Sequence, residues 1–170
     1  PWFAEHLAET AARRRLMEVS GSAEFPGPAG IFTLTARADR IDIGADGTLT
    51  LFDYKTGTPP SARAVREGDA LQLPLSGLIA KAGGFADAGG GAIGALSYVK
   101  LSGGPEPGAV KTVADAAAVE AALDQAEAIL MDLIARYDLA ETPYRARASD
   151  DDFAHLARSA AWGVTGGDEA

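Results

Sequence analysis

The stretch Ala36-Arg37-Ala38-Asp39-Arg40-Ile41-Asp42, followed across a short turn by Phe52-Asp53-Tyr54-Lys55-Thr56-Gly57, decides how this chain reads. The segment 31–43 is rich in β-branched and aromatic residues, as a strand should be, and 48–55 reads the same way. Between them, Gly44-Ala45-Asp46-Gly47 is a hairpin turn signal. Asp53 and Lys55 are two positions apart and project from one face of their strand. A three-residue loop, Ala45-Asp46-Gly47 with Gly47 left-handed, sets Gly44 opposite Thr48 and brings Asp39 opposite Asp53. A two-residue loop would shift the register by one and separate the two acids onto opposite faces. We therefore expect the three-residue loop.

Two carboxylates that close repel each other, and a divalent cation removes the conflict by taking both as ligands. Oxygen-only ligation suits Mg²⁺ or Mn²⁺, which retain waters and accept phosphate oxygens. Such an ion acidifies a bound water and offsets charge developing on a phosphodiester. Lys55 can position or deprotonate that water, or stabilise the transition state. An acid-x-lysine pair alone is more often a surface ion pair. Asp39, the hairpin register, a downstream Gln72, and Leu49 and Leu51 on the face of Asp53 together favour a cleft.

At these residues the chain resembles the PD-(D/E)xK nuclease superfamily in its RecB-like branch. That pattern runs G/A-x-x-D-R-x-D, hairpin, D-Y-K-T/S-G, then a helix bearing Gln, here Gln72-Leu73-Pro74-Leu75. The resemblance continues through Gly83-Gly84-Phe85, the run 97–104 and Tyr144-Arg145-Ala146-Arg147. Over about residues 18 to 160 it is similar to the C-terminal nuclease domains of AddB proteins, the second subunits of AddAB helicase–nucleases, in their alphaproteobacterial form. It implies a restriction-endonuclease-like α/β core and metal-dependent exonuclease cleavage of DNA single strands fed by a helicase, in double-strand break repair. It assigns Asp39, Asp53 and the Tyr54 carbonyl to the metal (Mg²⁺ or Mn²⁺), makes Lys55 catalytic, and sets Gln72 beside the site. It also implies an AddA-like partner subunit and the remainder of an AddB chain, with ATP used elsewhere in the complex. The contrasting reading is an inactive nuclease-fold scaffold that guides DNA or holds partner subunits.

Three features depart from the pattern. Ser76 stands where RecB-like proteins usually have Tyr. A family His ligand lies on an upstream helix, and His6 lacks the matching surroundings, so it reads as a structural or surface residue. The chain starts at Pro1 without Met, and we expect a domain cut from a larger protein without its first core helix. Many AddB proteins carry a four-cysteine iron–sulphur cluster, and this chain has no Cys to build one.

At 170 residues, one nuclease domain over 1–162 with a disordered tail over 163–170 is the natural division. No apolar run is long enough for a membrane span, no signal peptide is visible, and the absence of Cys fits a cytoplasmic protein. The net charge of −9 argues against a broad DNA-binding field. Basic residues are local: Arg13 to Arg15, Arg37 and Arg40 (candidate DNA contacts), and Arg63 with Arg66. DNA would then be delivered by partners.

Along the chain we read a helix over 2–17 with Arg13 to Arg15 facing water, a strand over 18–25 stopped by Pro26-Gly27-Pro28, and the two site strands. A loop over 56–69 follows, then a helix over 70–82 stopped by Gly83-Gly84, a strand over 95–101 beside the site strands, and a loop over 102–109. A long helix over 113–137 has Val119, Leu123, Ala126, Leu130, Leu133 and Tyr137 as its core stripe. A last helix over 152–162 is capped by Asp150 or Asp151. The order predicts an α/β sandwich with a mixed central sheet flanked by helices.

Overall fold

A computed structural model describes residues 2–9, 14–102, 108–139 and 142. Its elements are α1 (Trp2–Glu9), β1 (Arg14–Gly27), β2 (Gly30–Ile43), β3 (Leu49–Lys55), α2 (Ala62–Glu67), α3 (Gln72–Lys81), β4 (Ile93–Leu101), β5 (Gly108–Ala114) and α4 (Val119–Tyr137). The strands form one sheet in the order β1-β2-β3-β4-β5. Neighbours are antiparallel except β3 and β4, which run parallel and are joined through α2 and α3. This is the expected mixed sheet flanked by helices.

The β2–β3 turn forms as its residues dictate. Gly44 N donates to Thr48 O at 2.8 Å, Gly47 N donates to Gly44 O at 3.1 Å, and Gly47 takes a left-handed φ of 84°. That conformation carries a steric penalty for residues with a Cβ. The register that follows pairs Ile43 with Leu49 and Arg40 with Phe52. Alternation then sends Leu49, Leu51, Asp53 and Lys55 to one face, and Thr50, Phe52 and Tyr54 to the other.

On the Asp53 face, α3 and α4 close the core. Leu49, Leu51, Ile79, Leu96 and Leu123 are all buried to 1% exposure or less. The end of α3 is tied to the sheet edge: Ser22 N donates to Gly84 O at 3.1 Å, and Gly21 bridges Phe85. A Cβ on Gly84 would run into Ser22 O, so this junction needs a residue without one. Helix α1 lies on the opposite face, with His6 between Trp2 and Phe52.

Several expectations require correction. The helix over 2–17 ends at Glu9, and Arg14 to Met17 belong to β1, because β2 supplies partners for them: Arg14 pairs with Ile43 and Met17 with Arg40. Arg15 therefore does not simply face water; it ion-pairs with Asp42 at 3.0 Å. Strand β1 also runs through Pro26 to Gly27, which an edge strand tolerates. The loop over 56–69 contains α2, capped by Ser61 Oγ accepting from Ala64 N at 3.0 Å. Residues 108–114 form β5, so the long helix starts at Val119, not at 113. Asp115 Oδ1 accepts from Ala117 N and Ala118 N and turns the chain into α4. The α4 stripe passes from Leu130 to Ile134, leaving Leu133 39% exposed. Arg13, the segment 144–147, the helix over 152–162 and the tail from 163 lie outside the described residues.

Candidate active site

The ladder between β2 and β3 stops one step short of the two acids. Pairing is hydrogen-bonded at Gly44/Thr48 and alternates in steps of two, so Arg40/Phe52 is the last such pair and Ala38/Tyr54 would come next. Instead Tyr54 N donates to Asp39 Oδ2 at 2.8 Å. On the other side of β2, pairing with β1 skips the position opposite Asp39, where Glu18 adopts φ 53°. Asp39 thus sits where both ladders open, its carboxylate released towards Asp53. A left-handed non-glycine residue costs on the order of 1–3 kcal/mol, and such strain gathers at functional sites.

Lys55 Nζ lies 2.8 Å from Asp53 Oδ2 and donates to Gln72 Oε1 at 3.1 Å. Gln72 opens α3, so the helix start faces the C-terminal end of β3 and the neighbourhood of Asp39 within β2. Arg37, Asp39, Asp53, Gln72, Leu73 and Ser76 line one small depression. Ser76, in place of the family's Tyr, turns its hydroxyl back to Gln72 O at 3.0 Å. Tyr98, which the sequence reading passed over, is the β4 partner of Asp53, and its ring lies 5.9 Å from Lys55 Nζ. The register can find it, since the strand over 95–101 is expected beside the site strands.

Burial pushes the Asp53 carboxyl above the usual carboxylate range; Lys55 opposes this, and the charge of Asp39 adds to it. The Tyr98 hydroxyl is pushed up to about 12, first by burial and then by Asp53. Asp53 Oδ2 is buried and, although ion-paired with Lys55, has no aligned hydrogen-bond donor. A buried anionic oxygen short of directed donors can take a cation as a ligand. Together with Asp39 and the Tyr54 carbonyl, which lies on the ladder edge that β2 has vacated, the donor set fits Mg²⁺ or Mn²⁺. Among the described residues no cluster of three or more His, Cys, Asp or Glu forms, so water and substrate oxygens would have to complete the coordination.

Of the two candidate DNA contacts, Arg37 is exposed and ion-pairs with Glu18 at 2.9 Å. Arg40 requires correction. It is 0% exposed, on the face opposite the acids, clamped to Asp42 and stacked over Phe52 at 4.2 Å, so it does not reach DNA. His6 stands on that same back face, 3.2 Å from Arg40 Nη1, remote from the ligand role. No helix among the described residues is long and apolar enough to cross a membrane.

No curated protein matches the chain. Among solved structures, the one titled "Crystal structure of SSO0001" is similar at 15% identity and a TM-score of 0.44, covering 76% of this chain. This chain spans 55% of that one's length. Among protein families, the PD-(D/E)XK nuclease superfamily matches residues 1–151. With most of its length inside that match, the chain belongs to the PD-(D/E)XK nuclease superfamily.

Proposed function

We propose that this domain is a metal-dependent deoxyribonuclease, acting as an exonuclease on single strands that a helicase delivers during double-strand break repair. The observation that supports the nuclease chemistry best is Asp53: a buried carboxylate that the charge of Asp39 repels and that a single ammonium, Lys55, faces at 2.8 Å. Asp39, Asp53 and the Tyr54 carbonyl would hold the ion. When bound, a divalent ion there supplies an acidified water and neutralises charge on the scissile phosphate. The chain's own residues do the rest. Asp53 and Gln72 hold the Lys55 ammonium from two sides, at 2.8 and 3.1 Å. So fixed, Lys55 orients the attacking water or balances charge on the phosphate without reorganising during reaction. Gln72 keeps it from swinging out to solvent.

The repair setting rests on the longer resemblance to AddB nuclease domains and on the net charge of −9. An acidic domain gains little from long-range attraction to DNA, so a partner that threads the strand into the cleft supplies what the field does not. An AddA-like subunit and the rest of an AddB-like chain fit that role.

The test is Mn²⁺ binding by calorimetry beside cleavage of end-labelled single-stranded DNA, for the parent chain and for Asp39→Ala and Asp53→Ala. Binding and cleavage lost together in both variants support the reading. A folded parent that binds no Mn²⁺ and cuts nothing, even joined to its helicase partner, refutes it and leaves the inactive scaffold.

A further inference from the structure

The Arg40–Asp42 pair is buried, charged and unused by the chemistry above. Asp42 is 4% exposed and takes Arg40 Nε at 2.7 Å and Arg15 Nε at 3.0 Å on one oxygen, with Arg40 Nη2 on the other. A bidentate fork of this kind fixes a guanidinium in orientation as well as in place. So held, the guanidinium lies over the Phe52 ring at 4.2 Å and close enough to the Tyr54 hydroxyl to interact with it electrostatically. Phe52 and Tyr54 flank Asp53, whose side chain projects to the other face. Arg40 itself follows Asp39. The backbone ladder between β2 and β3 has ended at Arg40 and Phe52, so ordinary strand pairing does not set the spacing of the two acids.

We propose that Arg40 is a positioning residue: locked by Asp42 behind the sheet, it braces Phe52 and Tyr54 and so sets where Asp53 stands relative to Asp39 beyond the end of the ladder. This rests on Asp39 and Asp53 forming the metal site. Plain filling of the core does not account for it well, because an apolar side chain would fill that space without desolvating two charges. A guanidinium contributes what an apolar group lacks, a rigid planar contact with both neighbours of Asp53.

The experiment compares the parent chain with Arg40→Lys and with Arg40→Met/Asp42→Asn, which removes both charges together. Two readouts are taken: Mn²⁺ affinity by calorimetry, and hydrogen exchange of the Tyr54 amide in metal-free protein, since that amide donates to Asp39. Arg40→Lys is expected to weaken Mn²⁺ about 10- to 100-fold, the range for residues that orient ligands, and to speed Tyr54 exchange about 10-fold. A cooperatively melting variant with parental affinity and parental Tyr54 protection overturns the proposal. Should neither variant fold, the parent decides. Mg²⁺ titration must shift the Arg40 Nε–H resonance together with the Tyr54 amide, and a static Arg40 resonance overturns the proposal. If the parent binds no metal, the site assignment fails, while Tyr54 exchange still judges the brace on its own.

Discussion

Asp42 and Asp53 lie on opposite faces of one β-hairpin, each nearly buried, at 4% and 6% exposure, and their surroundings drive them apart. Burial disfavours the charge of both. At Asp42, hydrogen bonds and charge from Arg40 and Arg15 outweigh that cost and hold the carboxyl below the usual range. At Asp53 they do not: Lys55 offers one ion pair, Asp39 repels, and the carboxyl is held above it. The same residue type at the same depth therefore does two jobs. The satisfied carboxylate is structure. The under-satisfied one has the character that the proposed metal site requires.

Removing Asp42 is the severest test of that contrast. Asp42→Ala leaves the Arg40 guanidinium buried without its carboxylate, and breaking a buried pair from one side costs about 3–5 kcal/mol. Urea denaturation should show a loss of that size, and a loss below about 1 kcal/mol would break the comparison. Asp53→Ala should do the reverse. Cleavage falls about 10²- to 10³-fold, the scale for losing a group that stabilises transition-state charge, while the melting temperature stays level or rises. A collapsed fold in that variant would make Asp53 structural. Lys55→Met should abolish cleavage but retain Mn²⁺ binding, which separates the ligands from the group they hold. Gln72→Ala, which only frees Lys55, should cost cleavage about 10-fold, with the fold unchanged.

How much of this was legible in the sequence follows the range of the forces. The hairpin and its register came from local chemistry: Gly44 and Gly47 dictate the loop, and the loop dictates the pairing. The shared face of Asp53 and Lys55 came from the period of two. Strand 108–114 does not come through, because Lys111 and Thr112 blur its alternation. Arg14 to Met17 read as helix for a different reason: their partners 40 to 43 lie far along the chain. Arg40 is the instructive miss. Taken alone, an arginine beside an acid reads as a phosphate contact. Taken with the register, it sits opposite Phe52 and two residues from Asp42, on the face away from Asp39. That arithmetic was available, and it predicts a buried brace rather than a DNA contact.

The smallest expected effect is the most discriminating, because the two carboxylates should respond to pH with opposite sign. A carboxyl whose folded value lies below its unfolded value, near 3.9, stabilises the fold above that pH and loses the contribution as pH falls through the folded value. Asp42 is of this kind. A carboxyl raised on folding contributes fully below the unfolded value and loses the contribution as pH rises through the folded one. Asp53 is of this kind. Metal-free Asp53→Asn should therefore melt no lower than the parent at pH 7, with the gap closing as pH drops towards 4. Asp42→Asn should show its largest deficit at pH 7 and recover in acid. Adding Mn²⁺ sharpens the contrast. Bound at 100 times its dissociation constant, it stabilises the parent by about 2.7 kcal/mol; it does so for Asp42→Asn in proportion to the remaining affinity, and not for Asp53→Asn. Where Asp53 holds the ion as proposed, proton and cation compete for it, so the Mn²⁺ increment is expected to grow with pH through the raised Asp53 value. Parallel pH curves for the two variants would show that the two faces of the hairpin do not differ in kind.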